Sequence, residues 1–184
     1  MTKGLGDARF RRTEDALFGV IFEEGGMKLS VVEIARRIGV NRGTIYRHHR
    51  AMREIIKDYE QYILEKYAEL MTEIRKRDSV ELRRMYYEMV LFILQNRRIF
   101  EMLIKQKNFK VLGEMIVVLK PEIMDFIRLS GSHERIFRVY TGEIVGLITD
   151  WELDGFREVE IVKLLNNIMY LTESARRRLL SLAN

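Results

Sequence analysis

Six residues within a span of seven, Arg42, Gly43, Thr44, Tyr46, Arg47 and His48, could do chemistry on a polyanion. A guanidinium can bridge O6 and N7 of one guanine, and a threonine methyl can lie against a thymine methyl. Arg42 and Thr44 are therefore candidates for base edges. Tyrosine, arginine and imidazole groups can donate to phosphate oxygens, which suits Tyr46, Arg47 and His48. Gly43 lacks a Cβ and allows the backbone close approach to another surface. Arg50 and Arg53 extend the basic rim. Any one of these arginines could be merely solvated, and Tyr46 could instead cover a small core. The combination is what points to nucleic acid.

These side chains need a short helix held with one face outward. Upstream, Ser30 with Glu33 three residues on has the form of a capping box, which predicts a helix beginning at Val31. Ser30 and the first-turn amides of Val31 and Val32 form a helix start able to hold a phosphate. Val31, Ile34, Ala35 and Ile38 make its inward stripe. Gly39 suits the left-handed conformation that ends a helix. Asn41 is a strong N-cap for the next helix, and Val40 with Ile45 fits a hydrophobic staple across it. Two helices joined by a three-residue turn containing glycine form a helix-turn-helix, whose second helix enters a DNA major groove. An earlier helix is expected from about Arg9 to Gly25-Gly26.

The charge follows the same division. Residues 1–53 carry 11 Lys and Arg against 6 Asp and Glu, whereas residues 54–184 carry 21 of each. A basic segment beside a neutral body is the footprint of a phosphate-binding domain. The 184 residues are 47% hydrophobic, enough for a core, with one proline and no cysteine. The missing cysteine excludes disulfides, thiolate metal sites and a catalytic thiol. His48 and His49 are adjacent and diverge by about 100° on a helix, so they do not suit a shared metal. No metal or other cofactor is expected, and no phosphate loop or metal-spaced histidine cluster suggests an enzyme. No run approaches a membrane span of roughly 18 apolar residues, and the first residues lack a signal-peptide core. The expected location is the cytoplasm.

Beyond residue 50 the pattern is helical throughout, without strand alternation. A long helix is expected from Met52 to Arg77. Asp78-Ser79 should break it and cap a helix to Gln95, followed by one from Arg97 to Lys105. Another should start near Asn108 and be kinked or divided by Pro121 before Leu129. Ser130-Gly131-Ser132 reads as a turn, with Ser132 capping a helix to Leu153 and His133 facing solvent. Gly155 should end that helix, and a last one should run from Glu158 to Leu180. The fold class is all-α. Residues 1–50 form the helix-turn-helix domain, and residues 51–184 form a helical ligand and dimerisation domain reached through the long helix.

The segment resembles the DNA-binding domain of the TetR/AcrR transcriptional regulators. The residues that carry the likeness are Lys28-Leu29-Ser30-Val31, Glu33-Ile34-Ala35 and Gly39 through His48. More loosely, Asn96-Arg97-Arg98-Ile99-Phe100 and Gly142, Gly146, Trp151 and Gly155 resemble one branch of that family. The resemblance implies an all-α homodimer, a recognition helix in the major groove and a ligand-responsive C-terminal domain. The chain departs from the family pattern at His49, usually an inward Phe, at Ala51, and at Met52, usually a phosphate-gripping Lys.

Two further sets of residues follow. Tyr140, Ile144, Leu147, Ile148 and Trp151, with Ile161, Leu165 and Ile168, supply apolar stripes on the last two helices for a dimeric four-helix bundle. The alternative is that both helices pack inside one subunit, but a palindromic DNA site needs two recognition helices about one turn apart, which favours the dimer. Gly142 and Gly146 would permit close approach. Tyr59, Tyr62, Met85, Tyr86, Met89, Phe100, Met102, Met115 and Phe126 are candidates for lining an apolar or amphipathic ligand pocket, since methionine adapts to irregular shapes. Each of them could also be ordinary core. The expected function is a ligand-responsive repressor binding a palindromic DNA operator as a homodimer. The alternative is a co-regulator that binds another protein through the same fold.

Overall fold

The computed structural model describes residues 16–21, 30–46, 49, 52–77, 81–127 and 134–182. Among these residues the chain is helical, without a strand. Helix α1 covers residues 16–21. It is followed by α2 (Val31–Arg37), α3 (Arg42–Tyr46), α4 (Met52–Arg75), α5 (Leu82–Gln95) and α6 (Arg97–Lys105). Then come α7 (Lys110–Val118), α8 (Lys120–Ile127), α9 (Glu134–Leu153), a 3-10 turn at Glu158–Glu160, and α10 (Ile161–Leu182). The protein is all-α, as its residues predict. The expected ends of the first helix at Arg9 and Gly25-Gly26, the turn Ser130-Gly131-Ser132 and His133 lie outside the described residues.

Local chemistry sets most helix ends. After α2, Gly39 takes φ +71°. Its N–H donates to the Arg36 carbonyl at 3.3 Å while Val40 N–H reaches the Ala35 carbonyl at 3.0 Å. That crossed pair is a Schellman motif, which needs one left-handed residue. The end of α9 repeats it at Gly155 (φ +74°), with Gly155 N–H on Glu152 and Phe156 N–H on Trp151. The end of α6 repeats it without glycine. There Lys107 takes φ 56° and donates to Ile104 while Asn108 donates to Leu103, both at 2.8 Å.

Pro121 divides α7 from α8. It has no N–H for the Val117 carbonyl, and its ring crowds that group. Arg75 stabilises the break: Nη2 donates to the Val118 carbonyl at 2.6 Å, and Nε and Nη2 hold the Glu122 carboxylate at 2.6 and 2.9 Å. Helix α5 starts at Leu82 with Glu81 before it and no side-chain cap. The capping expected of Asp78-Ser79 falls outside the described residues.

Packing separates two compact units, Met1–Ile63 and Leu64–Asn184. The N-terminal unit extends past the expected boundary at residue 50 because the first turns of α4 join its core. Leu17, Phe18, Ile21, Val31, Ile34, Ala35, Ile45 and Ile55 form that core, with Tyr59 packed against it. Of the candidate pocket residues, Tyr59 and Tyr62 fall within this N-terminal unit. Tyr59 lies against Phe18 with ring centroids 3.9 Å apart, and Tyr62 stacks on Tyr59 at 5.8 Å.

In the C-terminal unit α9 packs on α10, α7 and α6, and α10 also packs on α5 and α8. Met85, Tyr86, Met89, Phe100, Met102 and Met115 are buried there. Phe126 is half-buried beneath the Arg176 guanidinium, 5.5 Å from its ring centroid. The dimer expectation needs a change of face. Tyr140, Ile144, Ile148, Trp151, Ile161, Leu165 and Ile168 are all buried within the single chain, where they hold α9 and α10 in the protomer core. Leu147 alone of the set is half-buried. It lines an open groove of about 190 Å³ between α9 and α10, with Asp150, Asp154, Glu160 and Lys163. No described helix is long and apolar enough to cross a membrane.

The same core buries a chain of hydroxyls. Tyr86 bonds Tyr140, Tyr140 bonds Thr172, and Thr172 donates to the Ile168 carbonyl at 2.7 Å. Thr172 thus spends its hydrogen on the carbonyl, so Tyr140 must donate to Thr172 and Tyr86 to Tyr140. Burial pushes the Tyr140 phenol up to about 12 and holds Tyr67 and Tyr86 well above the ordinary tyrosine range. The unfolded chain therefore ionises these groups from about pH 10 while the native state resists. Stability is fully present below that pH and falls as pH rises toward 12, by about 2–3 kcal/mol from Tyr140 alone. Urea midpoints at pH 9 and pH 11.5 check this; equal midpoints would contradict it.

Candidate nucleic-acid interface

The helix-turn-helix is assembled from its caps inward. Glu33 N–H donates to Ser30 Oγ at 3.3 Å, and Ser30 N–H donates to the Glu33 carboxylate at 2.8 Å, closing the capping box. Ser30 Oγ also donates to that carboxylate, at 2.7 Å. These bonds from Ser30 hold the Glu33 carboxyl below its usual range. They also commit the serine hydrogen. An incoming phosphate at this helix start would meet the Val31 and Val32 amides, which lie in the first turn where no intrahelical acceptor exists.

Across the turn, Gly43 N–H donates to Asn41 Oδ1 at 2.8 Å and Thr44 N–H to the Asn41 carbonyl at 2.8 Å, so Asn41 caps α3. Any Cβ at residue 43 would sit 3.3 Å from that same Oδ1. Glycine there protects the cap as well as leaving the surface open. Helix α3 has five residues, too few to be stable alone. Ile45, 3% exposed in the shared core, is its anchor.

With Ile45 inward, Arg42, Gly43 and Tyr46 are exposed and Thr44 is half-buried. Tyr46 keeps 47% of its surface, so it does not serve as a core lid. On α2, Ser30 and Val32 are exposed while the Val31 side chain is buried, leaving Val31 only its backbone to offer. Asn41 is exposed beside its cap bond. Arg47, His48, Arg50 and Ala51 lie outside the described residues, as does the side chain of Met52. The exposed edge of α3 thus carries a guanidinium, an open backbone and a phenol side by side.

Residues 19–59 match the family described as bacterial regulatory proteins, tetR family. The chain carries a tetR-family N-terminal domain. No curated protein and no solved structure matches the chain. The protein is accordingly a DNA-binding transcriptional regulator, and the tetR-type match covers α2, α3, the turn between them and the opening of α4. One contact in the tetR-type domain escaped the sequence. His49, 3% exposed, sets Nδ1 3.1 Å from Asp58 Oδ2 on α4. Nothing local to either residue announces it, because the partners are nine residues apart in the chain.

Proposed function

We propose that this tetR-type protein is a ligand-responsive repressor that binds a palindromic operator as a homodimer. The observation that carries the DNA-reading half is the outward edge of α3, with Ile45 buried and Arg42 and Tyr46 exposed. Arg42 and Thr44 read bases. Tyr46, Arg47, His48 and Arg50 hold phosphates or sugars, together with the Val31 and Val32 amides at the start of α2.

The dimer forms through the outward faces of α9 and α10. Val139, Val162 and Tyr170 are 59%, 63% and 73% exposed there. Gly142 and Gly146 are exposed on the same side of α9, and a Cβ built on either meets no atom within 4 Å. A second copy of the pair would complete a four-helix bundle and supply the second recognition helix about one DNA turn away. The ligand is apolar or amphipathic and is taken up among the methionine and aromatic side chains of the C-terminal unit. It acts only by favouring one arrangement of the two recognition helices over another, through α4, which belongs to both units.

Binding of duplexes from the chain's own gene neighbourhood, with systematic base changes, tests this reading. Arg42→Ala should lose about 1–3 kcal/mol on the preferred sequence and relax base choice at one position. Tyr46→Phe should weaken all sequences alike. The opposite pattern would refute this orientation of α3, and absence of any salt-sensitive, sequence-selective complex would refute the operator itself.

A further inference from the structure

DNA contact does not account for His49. Its imidazole is 3% exposed, although the core beside it is apolar. Its backbone is tied to α3, since His49 N–H donates to the Ile45 carbonyl at 2.9 Å. Its side chain reaches the other way: Nδ1 lies 3.1 Å from Asp58 Oδ2, on a carboxylate that is 55% exposed. One side chain therefore ties the end of α3 to the second turn of α4. Helix α3 is too short to hold its own direction, so its pose depends on such ties and on Ile45.

An apolar residue could fill the same space and would act identically at every pH. A histidine facing a carboxylate does not. Neither ring nitrogen completes a hydrogen bond, and taking up a proton sets a positive charge 3.1 Å from the Asp58 carboxylate, which turns a bare approach into an ion pair. Among the described residues, the ionisable groups on the elements of this unit are solvated. Residues 16–21 carry none, α2 carries Glu33, Arg36 and Arg37, α3 carries Arg42 and Tyr46, and α4 brings Arg53, Glu54 and Lys57 alongside Asp58, all exposed.

We propose that His49 is a positioning residue whose pairing with Asp58 latches the recognition helix onto α4 and makes DNA binding tighten as pH falls through the histidine range. The proposal rests on DNA binding by α3 and is independent of the repressor, ligand and dimer readings. DNA contact needs α3 in one pose, the latch favours that pose, and proton uptake favours the latch, so proton and DNA each promote binding of the other. Water around Asp58 screens the pair, which limits the effect to several-fold.

The test is the affinity of the full chain for its selected duplex at about pH 6 and about pH 8, at fixed ionic strength. His49→Phe, His49→Gln and Asp58→Asn are measured beside the parent chain. The parent should gain about three- to tenfold in affinity toward pH 6 beyond any change in His49→Phe. Asp58→Asn, which keeps the imidazole and removes the charge, should lose that gain. His49→Gln, whose amide can donate to Asp58 without titrating, should bind at both pH values with an affinity near the parent's at pH 8. It also answers the case in which His49→Phe fails to fold. A pH dependence retained in His49→Gln and Asp58→Asn would overturn the latch. A parent chain that selects no duplex at either pH overturns DNA reading by α3, and the latch with it, whereas a parent that binds with the variants' pH profile overturns the latch alone.

Discussion

Ile45→Ala is expected to melt the N-terminal unit selectively, at a cost of about 2–5 kcal/mol, and to remove sequence-selective DNA binding with it. Helix α3 has five residues, whereas isolated helices below about a dozen residues are marginal in water. Its stability comes from the Asn41 cap and from the insertion of Ile45 among Leu17, Phe18, Ile34 and Ile55. Truncation leaves a cavity at the point where three helices meet, and α3 has no second buried anchor among the described residues. The measurement separates the units cleanly. The chain has one tryptophan, Trp151, and it lies in the C-terminal unit. In urea, Ile45→Ala should lose part of its helical circular dichroism early while the Trp151 fluorescence transition stays where it was. Ile45→Val should cost only about 0.5–1.5 kcal/mol. Identical dichroism transitions for Ile45→Ala and the parent would show that α3 does not hang on this side chain.

Trp151→Ala should strike the other unit harder, by about 3–5 kcal/mol. The indole is 4% exposed and meets the Phe156 ring edge-on at 4.9 Å and 81°. Its Nε1–H donates to the Arg157 carbonyl at 3.0 Å. It is also the residue whose own carbonyl accepts the Phe156 N–H in the Schellman closure. Phe156 is held at φ 52°, a conformation that costs a residue with a Cβ about 1–2 kcal/mol. The Trp151 packing is what offsets that strain. Without it α9 should fray at its end and the turn into α10 should loosen. Thermal unfolding followed by circular dichroism should show the main transition lowered by roughly 10 °C or more. Trp151→Phe, which keeps a ring against Phe156 and loses the hydrogen bond, should fall much less. Equal losses for the two would mean that the hydrogen bond, not the packing, closes this corner.

Helices α9 and α10 carry exposed apolar residues as well as buried ones. On α9, Tyr140, Ile144, Ile148 and Trp151 point inward, yet Val139 and Leu153 stand 59% and 77% exposed on the opposite side. A helix apolar on two sides can serve its own core and a partner at once. That is why the residues expected at a dimer face turned out to be core, and why the proposed interface uses the other side of the same helices.

What the sequence determined by itself are the features decided within four or five residues of chain. The Ser30–Glu33 box, the glycine ends at Gly39 and Gly155, the Asn41 cap and the break at Pro121 all depend on backbone hydrogen bonds and steric clashes between near neighbours, and so the helices and the outward edge of α3 were legible. Which of two apolar faces turns inward, where Tyr59 and Tyr62 pack, and that His49 meets Asp58 were decided only in the tertiary structure. Those outcomes depend on surfaces brought together from distant parts of the chain. A periodic stripe says that a face is buried, and only its neighbours in space say against what.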